Sequence, residues 1–173
     1  MKTLIGYAVL WSIASPGCVS GKDPTAPARF KEYFLRGSCR KLLDTQSEIT
    51  CYIDHNVQLP IAKRSTGAMR VREDDLGLYV EVDLDPRYER IATHAVGWSV
   101  SFIADHRLDI YNPGCTVPRR YVGEVTRLDE VSLIVDGSRP AHRTTIACIE
   151  RDDRAAIKIR VVAHVAFARL AVR

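Results

Sequence analysis

Gly97-Trp98-Ser99-Val100-Ser101-Phe102 reads as a β-strand with two unlike faces. In an extended chain alternate side chains share a face. Trp98, Val100 and Phe102 then form a bulky apolar face suited to a core, and Gly97, Ser99 and Ser101 a small polar face with room above Ser99. The pattern alone is that of an ordinary half-buried strand. It lacks the Gly-x-Ser-x-Gly elbow of an α/β-hydrolase.

The same period recurs on both sides of this strand. Leu78, Val80, Val82 and Leu84 alternate with Tyr79, Glu81 and Asp83. Before them, Ala68 to Arg72 predicts a partner strand, with Glu73 to Gly77 as the turn and Gly77 free to take positive φ. Thr3 to Trp11, rich in Ile, Tyr, Val and Trp, predicts a first strand. Glu48 to Ile53 predicts a short strand that delivers Asp54-His55-Asn56, and Leu59-Pro60-Ile61 opens another extended stretch. The strand through Ser99 is expected over Val96 to Ile103, and two more over Arg120 to Leu128 and Val131 to Val135. Helices are expected within Arg29 to Leu43, ending near Gly37, and over Pro86 to Ala95 with Asp85 as N-cap. Ser15 to Ala28 and Tyr111 to Pro118 read as loops. The apolar, basic tail from Ile146 to Arg173 fits strand and helix equally. The expectation is a β-rich α+β fold in a single domain.

Composition narrows the function classes. A 173-residue chain with 46% hydrophobic and 27% charged residues is that of a globular domain. The net charge of +4 comes from scattered bases interleaved with acids, as in Arg151-Asp152-Asp153-Arg154, which speaks for a solvated surface and against nucleic-acid binding. The five cysteines are odd in number and none has C-x-x-C spacing, so neither a zinc site nor a disulfide framework is expected. No apolar run reaches the length of about eighteen residues that a membrane span needs. Lys2 followed by Leu4 to Ala14, with Ser15-Pro16-Gly17-Cys18 after it, imitates a lipoprotein leader, and an exported lipoprotein is one reading of it.

A serine nucleophile needs a base, and histidine is the usual one. Of His55, His94, His106, His142 and His164, His55 follows a strand and sits between Asp54 and Asn56, where it can project into a cleft. His94 is expected at a helix end, a structural place for an imidazolium. In Leu128-Asp129-Glu130-Val131-Ser132-Leu133-Ile134-Val135 an acid stands at the entry to an apolar strand and could orient a histidine or simply cap a turn.

The order of these segments resembles the prohead protease family of tailed phages. Gly6-Tyr7-Ala8-Val9-Leu10-Trp11 is similar to its opening strand, and the stretch from Ala28 to Leu35 to its early helix region. Asp54-His55-Asn56 resembles its Asn-His-Asp motif with the flanking residues exchanged. Thr66 to Val71 with Asp74 to Leu78 is like its hairpin, and Gly97 to Phe102 like its Gly-x-Ser-x-Gly-Phe strand, with Ser101 in place of the second glycine. Leu128 to Leu133 is similar to its Leu-x-Glu-Val-Ser-Leu segment, and Pro140-Ala141 echoes a following Pro-Ala.

The resemblance implies a small closed β-barrel with flanking helices, like the herpesvirus protease assemblin. It implies a protease domain over 1–150 and a C-terminal tail over 151–173 within the same domain. Carried over by position, Ser99 is the nucleophile, His55 the general base and Glu130 the orienting acid of a serine endopeptidase. Ser101 stays open as nucleophile. Asp129, Glu124 and His142 stay open as the third member, and Arg139 as a contributor to oxyanion binding. No cofactor and no metal is implied. The implied substrates are the scaffold and the major capsid protein precursor, together with the chain itself, inside the prohead in the host cytoplasm. Neither nucleic acid nor membrane is an implied partner, and a homo-oligomer is left open. An alternative with the same fold is a catalytically inactive assembly or scaffold component.

Overall fold

The structure is a computed structural model that describes residues 1–15, 29–110, 117–135, 144–151 and 157–161. Its elements in chain order are β1 (Lys2–Leu10), β2 (Lys31–Phe34), α1 (Arg40–Thr45), β3 (Thr50–Ile53), β4 (Asn56–Lys63), β5 (Met69–Glu73), β6 (Gly77–Asp83), two 3₁₀ turns (Pro86–Tyr88 and Ile91–His94), β7 (Ala95–Ile110), β8 (Arg119–Val135), β9 (Ala147–Arg151) and β10 (Ile157–Val161). The fold is β-rich with few helices. No helix among the described residues is long and apolar enough to cross a membrane.

The strands form two sheets. One has the order β10-β9-β1-β6-β5. In the other, β7 runs antiparallel along one edge of β8, so the two parallel partners of β8, β2 at its start and β3 at its end, share the opposite edge, with β4 outside β3. Leu4, Met69, Val80 and Val82 of the first sheet and Cys51, Trp98, Val131 and Leu133 of the second belong to one buried cluster. β1, the segment that also imitates a leader, is the central strand of its sheet, with Leu4, Ala8 and Val9 buried.

The expected closed barrel does not form among the described residues. At the seams between the sheets, irregular segments take the backbone groups that a continuous ladder would need. Ser12 and Ser15 N–H groups bond to the Phe34 and Glu32 carbonyls of β2 at 2.8 and 2.9 Å. On the other side, the Tyr7 N–H of β1 donates to Thr145 Oγ1 and the Trp98 N–H of β7 to Thr144 Oγ1, each at 3.0 Å. Gly6 allows this approach, since a Cβ there would lie 1.8 Å from the Thr145 carbonyl oxygen.

Several elements differ from the sequence reading. Arg29 to Leu43 is not one helix: Lys31–Phe34 is a strand with alternating burial, and the helix begins only at Arg40. Glu32 and Phe34 are buried while Lys31 and Tyr33 are not, which is period two. Pro86 to Ala95 forms two 3₁₀ turns, although Asp85 does cap the first by accepting from the Arg87 N–H at 3.0 Å. The two strands expected after Pro118 are one, β8. Gly77 does not have positive φ. It is required by contact, because a Cβ there would lie 2.0 Å from the Val9 carbonyl oxygen.

Leu133 is 0% exposed, on the core face of β8. Leu133→Ala is expected to lower the unfolding free energy by about 2–5 kcal/mol, read as a lower urea midpoint at unchanged slope. Cys39, Cys51 and Cys148 are buried free thiols. Burial, its largest cause, pushes the Cys39 thiol up to about 12 and the Cys51 thiol further still. Because the thiolate is the reactive form, Cys39 and Cys51 should resist iodoacetamide at pH 8 in the folded chain and react only after unfolding, as peptide mass mapping would show.

Candidate active site

β3 and β4 are joined by two residues, Asp54 and His55, with Ile53 paired to Asn56. Both loop residues are left-handed, Asp54 at φ 47° and His55 at φ 62°, as the central positions of a type I′ hairpin turn are. Neither is glycine, although Asp and His tolerate this region better than most residues. Two hydrogen bonds fasten Asp54 to β8: its N–H donates to the Leu133 carbonyl at 3.0 Å, and its Oδ1 accepts from the Val135 N–H at 3.1 Å.

From this turn the His55 ring folds back onto β8, where Nδ1 hydrogen-bonds Glu130 Oε1. The Glu130 side chain is 9% exposed and that of His55 44%. A carboxylate at Nδ1 favours the tautomer with its proton there, leaving Nε2 as the proton acceptor. The other candidate acids are engaged elsewhere: Asp129 pairs with Arg127 at 2.6 Å and Glu124 with Lys41 at 3.0 Å.

Ser99 lies on β7 directly opposite Ser132, and Ser101 opposite Glu130. Opposed residues of an antiparallel pair share a face. In the parallel pairing with β3, Tyr52 stands beside Ser132 and Thr50 beside Glu130. One face of β3, β8 and β7 therefore carries Thr50, Tyr52, Glu130, Ser132, Ser99 and Ser101, while Cys51, Val131, Leu133, Trp98 and Val100 point into the core. The sequence reading of the two faces of β7 holds, but the room expected above Ser99 does not. Ser99 is 3% exposed, whereas Ser101 is exposed.

The structure thus brings His55 and Glu130 into contact and puts Ser99 on the face that bears Glu130. No hydrogen bond joins Ser99 Oγ to His55. Arg139, Pro140-Ala141, His142 and His164 lie outside the described residues. The sequence reading did not single out Ser132, which is 0% exposed and whose Oγ has no hydrogen-bond partner. Its signal was its position two residues after Glu130 on a strand, hence on the same face.

A histidine held by a carboxylate, on a sheet face that also bears serines, is the kind of site serine hydrolases use. The comparison with known families is specific: the model of the Caudovirus prohead serine protease family matches residues 1–158 of 173, so the chain belongs to that family of serine peptidases. No curated protein matches the chain.

Glu130→Gln keeps the size of the side chain and removes the charge. In a serine protease triad the comparable amide substitution lowers turnover by about 10⁴. A loss of that order is expected here, in turnover and not in substrate binding. Asp129→Asn and Glu124→Gln should stay near wild type. Near-wild-type turnover in Glu130→Gln, with most activity lost in His142→Gln, would replace the carboxylate by a second histidine.

Proposed function

We propose that the chain is the endopeptidase that cleaves scaffold and major capsid protein precursors during prohead maturation, and that it processes itself. The observation that carries this reading is the His55–Glu130 hydrogen bond on the face that bears Ser99. Ser99 Oγ attacks the peptide carbonyl while His55 Nε2 takes its proton. Glu130 holds the ring in one tautomer and stabilises the imidazolium. His55 gives that proton to the amine nitrogen as the C–N bond breaks, so the amine product leaves and Ser99 keeps the acyl group as an ester. Water, deprotonated by the same histidine, then attacks the ester, and the acid product leaves as Ser99 Oγ regains its proton. Family membership supports the place of action, inside the prohead in the host cell. The division into a protease domain over 1–150 and a tail over 151–173, and the relation to assemblin, belong to the same proposal.

The burial of Ser99 favours a second reading, a catalytically silent assembly component of the same fold. An alkyl fluorophosphonate separates the two, because it reacts only with an activated serine. The active protease should be labelled once, at Ser99. Ser99→Ala should abolish labelling and Ser101→Ala should preserve it. Wild-type chain kept at high concentration should shorten while Ser99→Ala stays at full mass. Absence of labelling in the wild type would establish the silent reading, and labelling lost only in Ser101→Ala would move the nucleophile by two residues.

A further inference from the structure

Ser132 has a hydroxyl that the resting fold leaves without use. The residue is 0% exposed and its Oγ has no hydrogen-bond partner. Buried polar side chains are seldom left so, and an orphan near chemistry needs an explanation.

Its surroundings supply one. The Leu133 carbonyl is taken by Asp54 on the β3 side, and the Trp98 N–H turns away from β8 to Thr144. Leu133 and Trp98 are opposed, so theirs is the pair that does not exchange backbone hydrogen bonds between β7 and β8. The next pair, Ser99 with Ser132, is then the hydrogen-bonded one, with Cα atoms about 5.5 Å apart. From Gly97 to Ser101 the register has no shift, so both side chains rise from the same face at a fixed separation. Rotation about the two Cα–Cβ bonds suffices to bring the hydroxyls into hydrogen-bond range.

Ser132 also stands, along β8, within the stretch that anchors the His55–Glu130 pair. Along β8 it stands between Glu130, where the carboxylate begins, and Leu133 and Val135, where the His55 turn is fastened. The hydrogen bond between the two side chains therefore spans the part of the face that holds Ser132.

We propose that Ser132 is a positioning residue for the nucleophile, an inference that rests on Ser99 being that nucleophile. In the reactive arrangement Ser132 Oγ–H donates to Ser99 Oγ while Ser99 Oγ–H donates to His55 Nε2. The first bond selects the Ser99 rotamer that faces the histidine. It also stabilises the negative charge that grows on Ser99 Oγ as its proton leaves. Water cannot replace it, because the site of Ser132 is closed to solvent.

The experiment compares wild type, Ser132→Ala, Ser132→Cys and Ser99→Ala in three measurements: the rate of labelling by an alkyl fluorophosphonate, kcat and KM for p-nitrophenyl acetate, and the melting temperature. Ser132→Ala should slow labelling and lower kcat about tenfold, the scale of one hydrogen bond gained in the transition state, with KM within about twofold. Its melting temperature should be unchanged or raised, since the substitution removes a buried polar group that had no partner. Ser132→Cys, with a weaker donor of similar shape, should fall between the two. Wild-type rates in Ser132→Ala overturn the inference, and so does a loss matched by a fall in melting temperature. If Ser99→Ala abolishes labelling while Ser132→Ala does not slow it, the nucleophile stands and only this inference fails. If Ser99→Ala is labelled as fast as wild type, the nucleophile assignment fails and this inference with it.

Discussion

Asp54 is tied to β8 by its backbone N–H at Leu133 and by its carboxylate at Val135, and the rest of the site hangs from those two bonds. They fix a two-residue turn in which both residues are left-handed, a conformation that costs roughly 1–2 kcal/mol for each residue with a Cβ. Two hydrogen bonds of about 1 kcal/mol each, together with burial of Ile53 beside them, offset much of that cost. A glycine at either position would relax the turn, yet at 55 it would remove the imidazole and at 54 the carboxylate that holds the Val135 N–H. The strain is located at the turn that carries the proposed base, and strained backbone tends to cluster at functional sites.

β8 is the strand on which this arrangement is measured out. Its odd-numbered residues Val131 and Leu133 anchor it in the core, and its even-numbered residues Glu130 and Ser132 meet His55 and Ser99. A slip of one residue against β7 or β3 would turn the apolar pair outward and the carboxylate into the core. The burial of Trp98, Val131 and Leu133 therefore does more than stabilise the fold: it penalises any one-residue slip away from the register that places Glu130 under the histidine. The register shifts in the β7–β8 pairing fall between Ala95 and Gly97 and again beyond Ser101, so the pairing is regular across the stretch that holds the serines.

The sheet was legible in the sequence wherever one face is apolar and the other polar. Leu78 to Leu84 is such a stretch, and so is Gly97 to Phe102. Misreadings arose where a polar residue is buried. Glu130 looked like part of a break between two strands, because Asp129-Glu130 is a pair of acids. In β8, Asp129 faces solvent and Glu130 is 6% exposed beneath the histidine, so the strand runs on through both. Likewise the aromatics of Lys31-Glu32-Tyr33-Phe34 fit a helical period, yet Glu32 is buried and the period is two. The turn sequence suggests a conformational need for Gly77, but the need is steric and depends on Val9, far away in sequence. Of the site, His55 and Glu130 were legible through their motif contexts, whereas Ser132 was hidden because a serine inside an apolar strand looks like packing.

The two serines on this face differ in a way that bears on which one reacts. Ser101 is exposed and stands opposite Glu130, the end of the histidine–acid pair that cannot accept a proton from a nucleophile once it holds Nδ1. Ser99 stands two residues further along, opposite Ser132 and toward the end of β8 that holds the His55 turn. Its 3% exposure also matters. A charge developing on an oxygen shielded from water interacts more strongly with nearby dipoles than one in solvent. Ser99 is thus a serine shielded from water on the face that bears Glu130, and Ser101 one that meets water.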